Sequence, residues 1–233
     1  MTTAMQPTFG AQVEKIIEER HLLGHRFYVA WSKGQLSRDQ LRQYAGQYLH
    51  HVLAEPTYLS AVHSNTPHFA ADGTTDLSAR QAILENLMDE EMGPNNHPRL
   101  WLRFCAALGL TERDLAAVGP MPATADLVRT LTDLCRNRPY YAGLAALHAF
   151  ESQVPSIARV KIEGLRRFYG FSDPSGFEFF TVHENADVAH SAAEWRLIER
   201  AAESPAKQEE VCAATVTACA ALWNFLDGVY EAA

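Results

Sequence analysis

The chain has few cysteines and a shortage of positive charge. Its four cysteines form no C-x-x-C pair and stand among apolar neighbours, at Cys105, Cys135, Cys212 and Cys219. We therefore expect reduced core thiols in a cytoplasmic protein, with a nucleophile or metal pair at Cys212 and Cys219, which share a helix face, as the lesser alternative. The formal net charge of −8 over 233 residues argues against nucleic acid as a partner and leaves small molecules.

Long apolar runs, alternating strand patterns and internal repeats are also missing. No uninterrupted apolar run approaches the length of a membrane span, so we expect no membrane segment. Residues 1–7 lack the basic start and apolar core of a signal peptide. Because 47% of the residues are hydrophobic, the composition is typical of a globular protein. We expect a flexible start at 1–9 and a single domain over 10–233.

Helical spacing is present throughout, and it predicts one all-α domain of about seven to nine helices. Ser37 and Gln40 form the pattern of a capping box at the start of a long helix that contains Pro56. Another long helix is predicted over 140–169 and contains Pro155. Proline inside a helix removes a backbone donor, so we expect both helices to be kinked.

Two histidines and an aspartate share one face of a predicted helix near residue 190. The stretch 180–200 contains no Gly or Pro, so it can run as a helix. Side chains at i, i+4 and i+7 lie on one helical face, so His183, Asp187 and His190 project together. Two imidazoles and a carboxylate suit iron, manganese or zinc. A polar helix face that happens to contain two histidines is the alternative.

Two other segments offer carboxylates and histidines, as the facing helices of metal-binding bundles do. Glu90 and His97 flank a predicted helix interruption at Gly93-Pro94. Glu151 follows a run of small apolar residues, where an unpaired carboxylate would be costly. A hydrogen bond in the core, or an exposed carboxylate, is the alternative for Glu151. Glu90 has a stronger alternative, because the run Asp89-Glu90-Glu91 is also typical of a solvated helix end.

Six ligand-type residues at three separate places form a specific pattern: Glu90-x6-His97, then Glu151, then His183-x3-Asp187-x2-His190. Over roughly residues 15–230 the chain resembles the haem-oxygenase-like di-metal oxidases. It is most similar to their CADD-like subgroup, named after the Chlamydia protein associating with death domains, and the fold is shared with pyrroloquinoline quinone synthase and TenA. The similar strings are Glu90-Glu91, Asn96-His97-Pro98, Glu151-Ser-Gln-Val-Pro155, Lys161-Ile-Glu-Gly164 and Ala186-Asp187-Val-Ala-His190.

The resemblance implies a bundle of about seven main helices, some kinked, that holds two metals. The implied ligands are all six of these residues, with Glu151 as the bridge between the ions. The implied metals are two irons, or iron and manganese, and O2 is the implied co-substrate. Carboxylates stabilise the higher oxidation states of these metals, and open coordination positions accept O2. We also expect a homodimer.

Some members of that subgroup are self-sacrificing enzymes of folate synthesis. They convert a tyrosine side chain of their own to para-aminobenzoate, and a lysine supplies the amino group. By resemblance, Tyr28 and Lys161 stand at the two matching positions. If one helix carried both residues, Lys161 would lie about 280° around from Glu151, beside the metal face. An ordinary core aromatic and an ordinary surface charge are the alternatives for Tyr28 and Lys161.

Some residues depart from the family pattern. Phe150 and Phe179 stand where some relatives have tyrosines, which leaves Tyr44 as the candidate for a tyrosine relay. His148, one turn before Glu151, is an alternative ligand or a group that supports a ligand.

Four other functions remain open at this point. They are a multiple-turnover oxygenase acting on a free amine or fatty acid, a cofactor-independent oxidase like the pyrroloquinoline quinone synthases, a non-enzymatic interaction module, and a thiaminase-like hydrolase. The last is disfavoured because none of the four cysteines matches its nucleophile.

Overall fold

The computed structural model describes residues 7–70 and 72–232, which form eleven α-helices and two short 3₁₀ helices. The all-α prediction is confirmed. The predicted flexible start lies largely outside the described residues. The helices are α1 Phe9–Glu19, α2 Arg26–Ser32, α3 Arg38–Asn65, α4 Ser78–Glu91, α5 His97–Ala107, α6 Glu112–Ala117, α7 Pro122–Asn137, α8 Tyr140–Glu151, α9 Val154–Phe168, α10 Glu178–Ala201 and α11 Pro205–Glu231, with 3₁₀ turns at Leu22–Gly24 and Pro174–Phe177.

Helix α3 begins at the capping box that the sequence predicted. Ser37 Oγ accepts a hydrogen bond from the Gln40 amide at 3.1 Å, and Gln40 Oε1 accepts one from the Ser37 amide at 2.8 Å. These two bonds satisfy backbone donors that have no partner inside the helix. The helix then runs through Pro56 to Asn65. The kink at Pro56 stays a prediction.

Helix α8 lies at the centre of the bundle. Ten of its twelve residues are buried, and it packs against α10 and α11. Its small residues let neighbouring helices approach closely, since a Cβ on Gly143 would lie only 2.7 Å from Val62 Cγ2 on α3. Glu151, the last residue of this helix, is buried with it and is 3% exposed.

A break separates α8 from α9, where the sequence predicted one kinked helix over 140–169. Pro155 has no amide hydrogen to donate to the carbonyl of Glu151, so the helical ladder stops there. The Gln153 side chain holds the break together, accepting from the Leu22 amide at 2.8 Å and donating to a carbonyl of α8 at 2.6 Å. Lys161 therefore lies on a different helix from Glu151, and the estimate of 280° between them is wrong.

Helix α11 is the one described helix that is long and apolar enough, by length and composition, to cross a membrane. It packs against α1, α7 and α8. It also buries Leu222, Phe225 and Leu226, as a core helix does. All four cysteines are free, as predicted.

Candidate metal centre

One group of ligand-type side chains, the first triad, forms where α4, α5 and α10 meet. Atoms of Glu90, His97 and His183 lie within 4.8 Å of one another, and all three residues are buried. His97 Nδ1 lies 2.6 Å from Glu90 Oε1. Despite this short distance the two groups are not in hydrogen-bonding geometry, and neither His97 Nδ1 nor Glu90 Oε2 has a hydrogen-bond partner among the described residues. Unpartnered polar atoms are costly in an interior, and a cation between them would satisfy them.

The turn between α4 and α5 brings Glu90 and His97 to the same point. Gly93 has a φ of +82°, a left-handed conformation that glycine adopts without strain. Asn96 caps α5, and its Nδ2 donates to the carbonyls of Glu91 and Gly93 at 3.2 and 3.0 Å. The helix interruption predicted from the sequence therefore positions two members of the first triad.

The second triad consists of Glu151 from α8 and of Asp187 and His190 from α10. Its ligand-type atoms also lie within 4.8 Å of one another. Glu151 and Asp187 are 3% and 2% exposed, whereas the His190 side chain is 12% exposed. Asn86 Nδ2 donates to both carboxylate oxygens of Glu151 at 3.3 Å. Helix α4 therefore holds this carboxylate in place.

Hydrogen bonds fix which ring nitrogen of two histidines is free. His183 Nδ1 lies 2.7 Å from the carbonyl of Phe179 and donates to it, which leaves Nε2 unprotonated. His190 Nε2 lies 3.1 Å from Asp89 Oδ2. His190 Nδ1 lies 3.7 Å from Asp187 Oδ1 and has no hydrogen-bond partner among the residues described. Metal-binding histidines typically donate their other nitrogen to a carbonyl or carboxylate, as both do here.

Buried negative charge crowds the second triad. Burial raises the pKa of Glu151 to about 8, with the Asp187 carboxylate adding to the rise. Burial likewise raises the pKa of Asp187 to about 6. For His190 burial opposes the charged form, but the neighbouring carboxylates of Asp187, Glu151 and Asp89 outweigh burial and raise the pKa to about 9. A cation would favour both ionised carboxylates, and oxygen with imidazole ligands fits iron or manganese.

Lys161 is buried among aromatic rings. Its Nζ donates to the Tyr44 hydroxyl at 2.7 Å and lies 5.5 and 5.1 Å from the ring centres of Tyr28 and Tyr48. The residue is 4% exposed, so the alternative of a surface charge is wrong. Burial lowers the pKa of Lys161 to about 7, and burial also raises the pKa of the Tyr28 phenol. Near neutral pH, part of the amine is therefore uncharged.

A cavity of about 20 Å³ connects this lysine with the first triad. Tyr28, Lys161 and His183 all line it, and Phe150 and Phe179 form part of its wall. Such a volume holds about one water-sized molecule. The Phe179 ring centre lies 4.0 Å from that of His183, so a phenylalanine at this position covers the triad with an apolar surface.

Comparison with known proteins adds a family to this geometry. A family model described as an iron-containing redox enzyme matches residues 42–224. The chain belongs to this family. The 4-aminobenzoate synthase of Nitrosomonas europaea is 59% identical over 225 residues, which cover 96% of this chain and 92% of that protein. The protein of the same name from Chlamydia trachomatis is 44% identical, with 94% and 91% covered.

The fold of this iron-containing redox enzyme is also that of solved structures. A domain with a haem-oxygenase-like fold from Shewanella denitrificans matches with a TM-score of 0.79, over 98% of this chain and 94% of that chain, at 14% identity. At that identity the likeness concerns the fold alone. The haem-oxygenase-like, CADD-like resemblance is confirmed.

Three buried polar residues near the triads were missed in the sequence: Glu55, Asn86 and Glu194. Burial raises the pKa of Glu55 and of Glu194, and nearby triad carboxylates add to both rises. A spacing signal existed for two of the three. Glu194 comes four residues after His190 on the same helical face, and Asn86 comes four before Glu90. No such signal marks Glu55, whose helix carries no residue of either triad.

His148 lies beside Glu194 and outside both triads. Its Nδ1 is 3.8 Å from Glu194 Oε2. Burial lowers the pKa of His148 to about 4, so the ring is neutral at physiological pH. Of the two roles that the sequence left open for His148, this position favours support of a neighbouring group over that of a ligand.

Proposed function

We propose that this enzyme activates O2 with two metal ions, two irons or iron and manganese, and makes para-aminobenzoate for folate biosynthesis from its own Tyr28 side chain. In this proposal the Lys161 amine supplies the amino group. One observation carries the proposal: a buried lysine amine faces Tyr28 across a cavity too small for a free aromatic substrate.

Each triad would hold one ion, and Glu151 would be the shared ligand that the family resemblance implies. Redox-active ions bound there would supply the electrons that reduce O2. Side chains of the protein would orient the ligands and the lysine amine. Asn86 orients the Glu151 carboxylate, and Asp89 orients the ring of His190. Tyr44 accepts a hydrogen bond from Lys161, which fixes the amine and leaves Tyr44 placed to relay a proton or an electron.

The size of the cavity favours self-sacrifice over multiple turnover. Pockets for small molecules usually measure about 300–1,000 Å³, and the space between Tyr28, Lys161 and His183 is about 20 Å³. O2 fits the space beside Tyr28 and Lys161, and a free amine or fatty acid does not fit between these two residues. The buried Tyr28 ring already lines this space together with Lys161 and His183.

The relatives point the same way. Two of them, 59% and 44% identical, carry the name 4-aminobenzoate synthase. A cofactor-independent oxidase or a helical interaction module has no need of six converging ligand-type residues. We also propose a cytoplasmic location, because the four thiols are free as in reducing compartments. The homodimer stays a prediction, which light scattering can test.

The proposal is tested on protein loaded with iron and manganese under a reductant and then exposed to O2. Intact mass and released product are measured together. Wild type is expected to lose the mass of one tyrosine side chain together with the amino nitrogen of Lys161, and to release at most one para-aminobenzoate per chain. Tyr28→Phe is expected to do neither while still binding both metals, because it lacks only the phenol hydroxyl and keeps all six proposed ligands.

Tyr141→Phe is the matched control, since Tyr141 is also buried but hydrogen-bonds to Glu210 on α11. It should behave as wild type. Product from Tyr28→Phe, or several products per wild-type chain, would refute self-sacrifice in favour of a free substrate.

A further inference from the structure

A cleft of about 310 Å³ opens between α4 and α10, and we call it the α4–α10 cleft. Its lining includes His190 of the second triad together with the flanking residues Asn86, Asp89 and Glu194. No residue of the first triad lines it. The second triad is thus the one with a side open toward solvent.

Two of the carboxylates that line this cleft differ widely in exposure. The Asp89 side chain is 62% exposed, and its Oδ2 lies 3.1 Å from His190 Nε2. The Glu194 side chain is 5% exposed, and neither of its oxygens has a hydrogen-bond partner within the described part of the chain. A buried carboxylate without a partner is costly unless a cation uses it. Carboxylate oxygen is also a ligand that Mn²⁺ and Fe²⁺ accept readily.

We propose that the α4–α10 cleft is the port through which divalent transition-metal ions reach the metal centre, with Asp89 as the outer ligand and Glu194 as the inner ligand on the way to the second triad. The inference rests on the proposed two-metal site and adds two residues and a direction of filling to it. Asp89 also has a second role. It accepts a hydrogen bond from Nε2 of His190 and so keeps Nδ1 of that ring turned toward the second triad. The ion of the first triad passes the second triad on its way.

A bulkier side chain in the cleft can show whether the cleft is a route for the ion or a site that binds it. Ala193 lines the cleft, is partly buried and offers no ligand atom. Leucine at this position narrows the passage without changing the bound state. The barrier is shared by both directions, so uptake and release slow by the same factor and the Kd is unchanged. A lost ligand would instead change the Kd.

The experiment uses the metal-free full chain and Mn²⁺, with the EPR signal of aqueous Mn²⁺ reporting uptake and excess EDTA starting release. For Ala193→Leu we expect both rates to fall about tenfold, equal to a barrier higher by about 1.4 kcal/mol, at an unchanged Kd. Asp89→Asn is expected to slow uptake and to raise the Kd. Glu85→Gln makes the same charge change in the same cleft without contacting His190, and should leave both near wild type.

Two further variants complete the design. Ala213→Leu lies in a separate groove bordered by α7, α8 and α11 and is the steric control. Ala189→Leu, on the exposed rim one turn before Ala193, replaces Ala193→Leu if that variant does not fold.

Wild-type rates in both cleft variants would overturn the port. Equal effects of Asp89→Asn and Glu85→Gln would overturn the role of Asp89 as a ligand and leave only general attraction of cations. A wild-type protein that takes up neither Mn²⁺ nor Fe²⁺ would overturn the proposed function itself, so the two failures are distinguishable.

Discussion

Among single residues, Lys161 has the environment most unlike that of its type. An ammonium group is usually solvated, yet this one is 4% exposed and lies among aromatic rings. The ring faces return part of the lost hydration through cation–π attraction. Burial still lowers the pKa of Lys161 to about 7. A neutral amine has the lone pair that bond formation to carbon requires, so on the proposed chemistry burial would prepare Lys161 as an amino donor.

The rate of the single-turnover reaction should therefore depend on pH through Lys161. The neutral fraction of the amine grows as pH rises through the pKa of about 7, so the rate should increase from pH 6 to pH 8 with a midpoint near 7. Lys161→Arg stays charged at every accessible pH and should give no product. The measurement is product formation after an O2 pulse at several pH values. A flat profile, or product from Lys161→Arg, would remove Lys161 from the chemistry.

Asn86 is the residue that supports a proposed ligand most directly. Its Nδ2 bonds to both oxygens of Glu151, so Asn86→Leu should leave the carboxylate free to turn. We expect metal affinity at the second triad to fall about 10–100-fold, as for other losses of groups that orient a ligand. Chelator competition measures this. Glu85→Gln, the neighbouring exposed residue, is the control, and equal affinities in the two variants would contradict the role.

At the scale of elements, the break between α8 and α9 decides where Lys161 points. It ends one helix at Glu151 and starts another whose face carries Lys161. Trp31 Nε1 donates to the Lys161 carbonyl at 3.3 Å, and Gly164 lets the Trp31 ring approach, since a Cβ there would lie 2.6 Å from it. The break therefore lets α9 pack against α2, the helix that carries Tyr28.

We expect the Gln153 side chain to be the main stabilising contact at the break between α8 and α9. Its side chain bonds to the Leu22 amide and to the carbonyl of Ala149, so Gln153→Ala leaves two buried backbone groups without partners. The free energy of unfolding should fall by about 1–3 kcal/mol per orphaned group. Urea denaturation measures the change. Gln208→Ala, which removes one partly buried bond at the start of α11, should cost less, and an equal loss would argue against this role of Gln153.

For the whole molecule, the sequence predicted the features that depend on residues close together in the chain. Helical spacing and the absence of strand alternation gave the all-α class, and one helix face held His183, Asp187 and His190. The meeting of α4, α8 and α10 is a long-range contact, so the sequence offered Glu90, His97 and Glu151 only as separate candidates, and the resemblance alone joined them into one centre. Glu55 was missed for the same physical reason, since nothing in its own helix shows that it faces the triads.

Metal removal should destabilise the whole bundle. Several buried carboxylates converge with no cation to balance them, and an ion that binds only the folded state stabilises it by about 2.7 kcal/mol at 100 times its Kd. Addition of EDTA to metal-loaded protein should therefore lower the Tm. His190→Ala, which lacks one member of the second triad, should show a smaller decrease. A Tm that is the same with and without EDTA would mean that no ion binds.

The packing of Tyr28 has a consequence for the lifetime of the chain. The side chain is 3% exposed and its ring centre lies 5.2 Å from that of Phe27. Loss of a large aromatic from a packed interior costs about 3–5 kcal/mol, against a total stability of about 5–15 kcal/mol for a typical protein. On the proposed chemistry, a chain that has reacted is left with a cavity in its core and is therefore less stable. The unfolded state is populated more often, and proteases cleave unfolded chains. The Tyr28 side chain would then both supply the product and limit the lifetime of the chain, because chains that have reacted would be degraded faster than chains that have not.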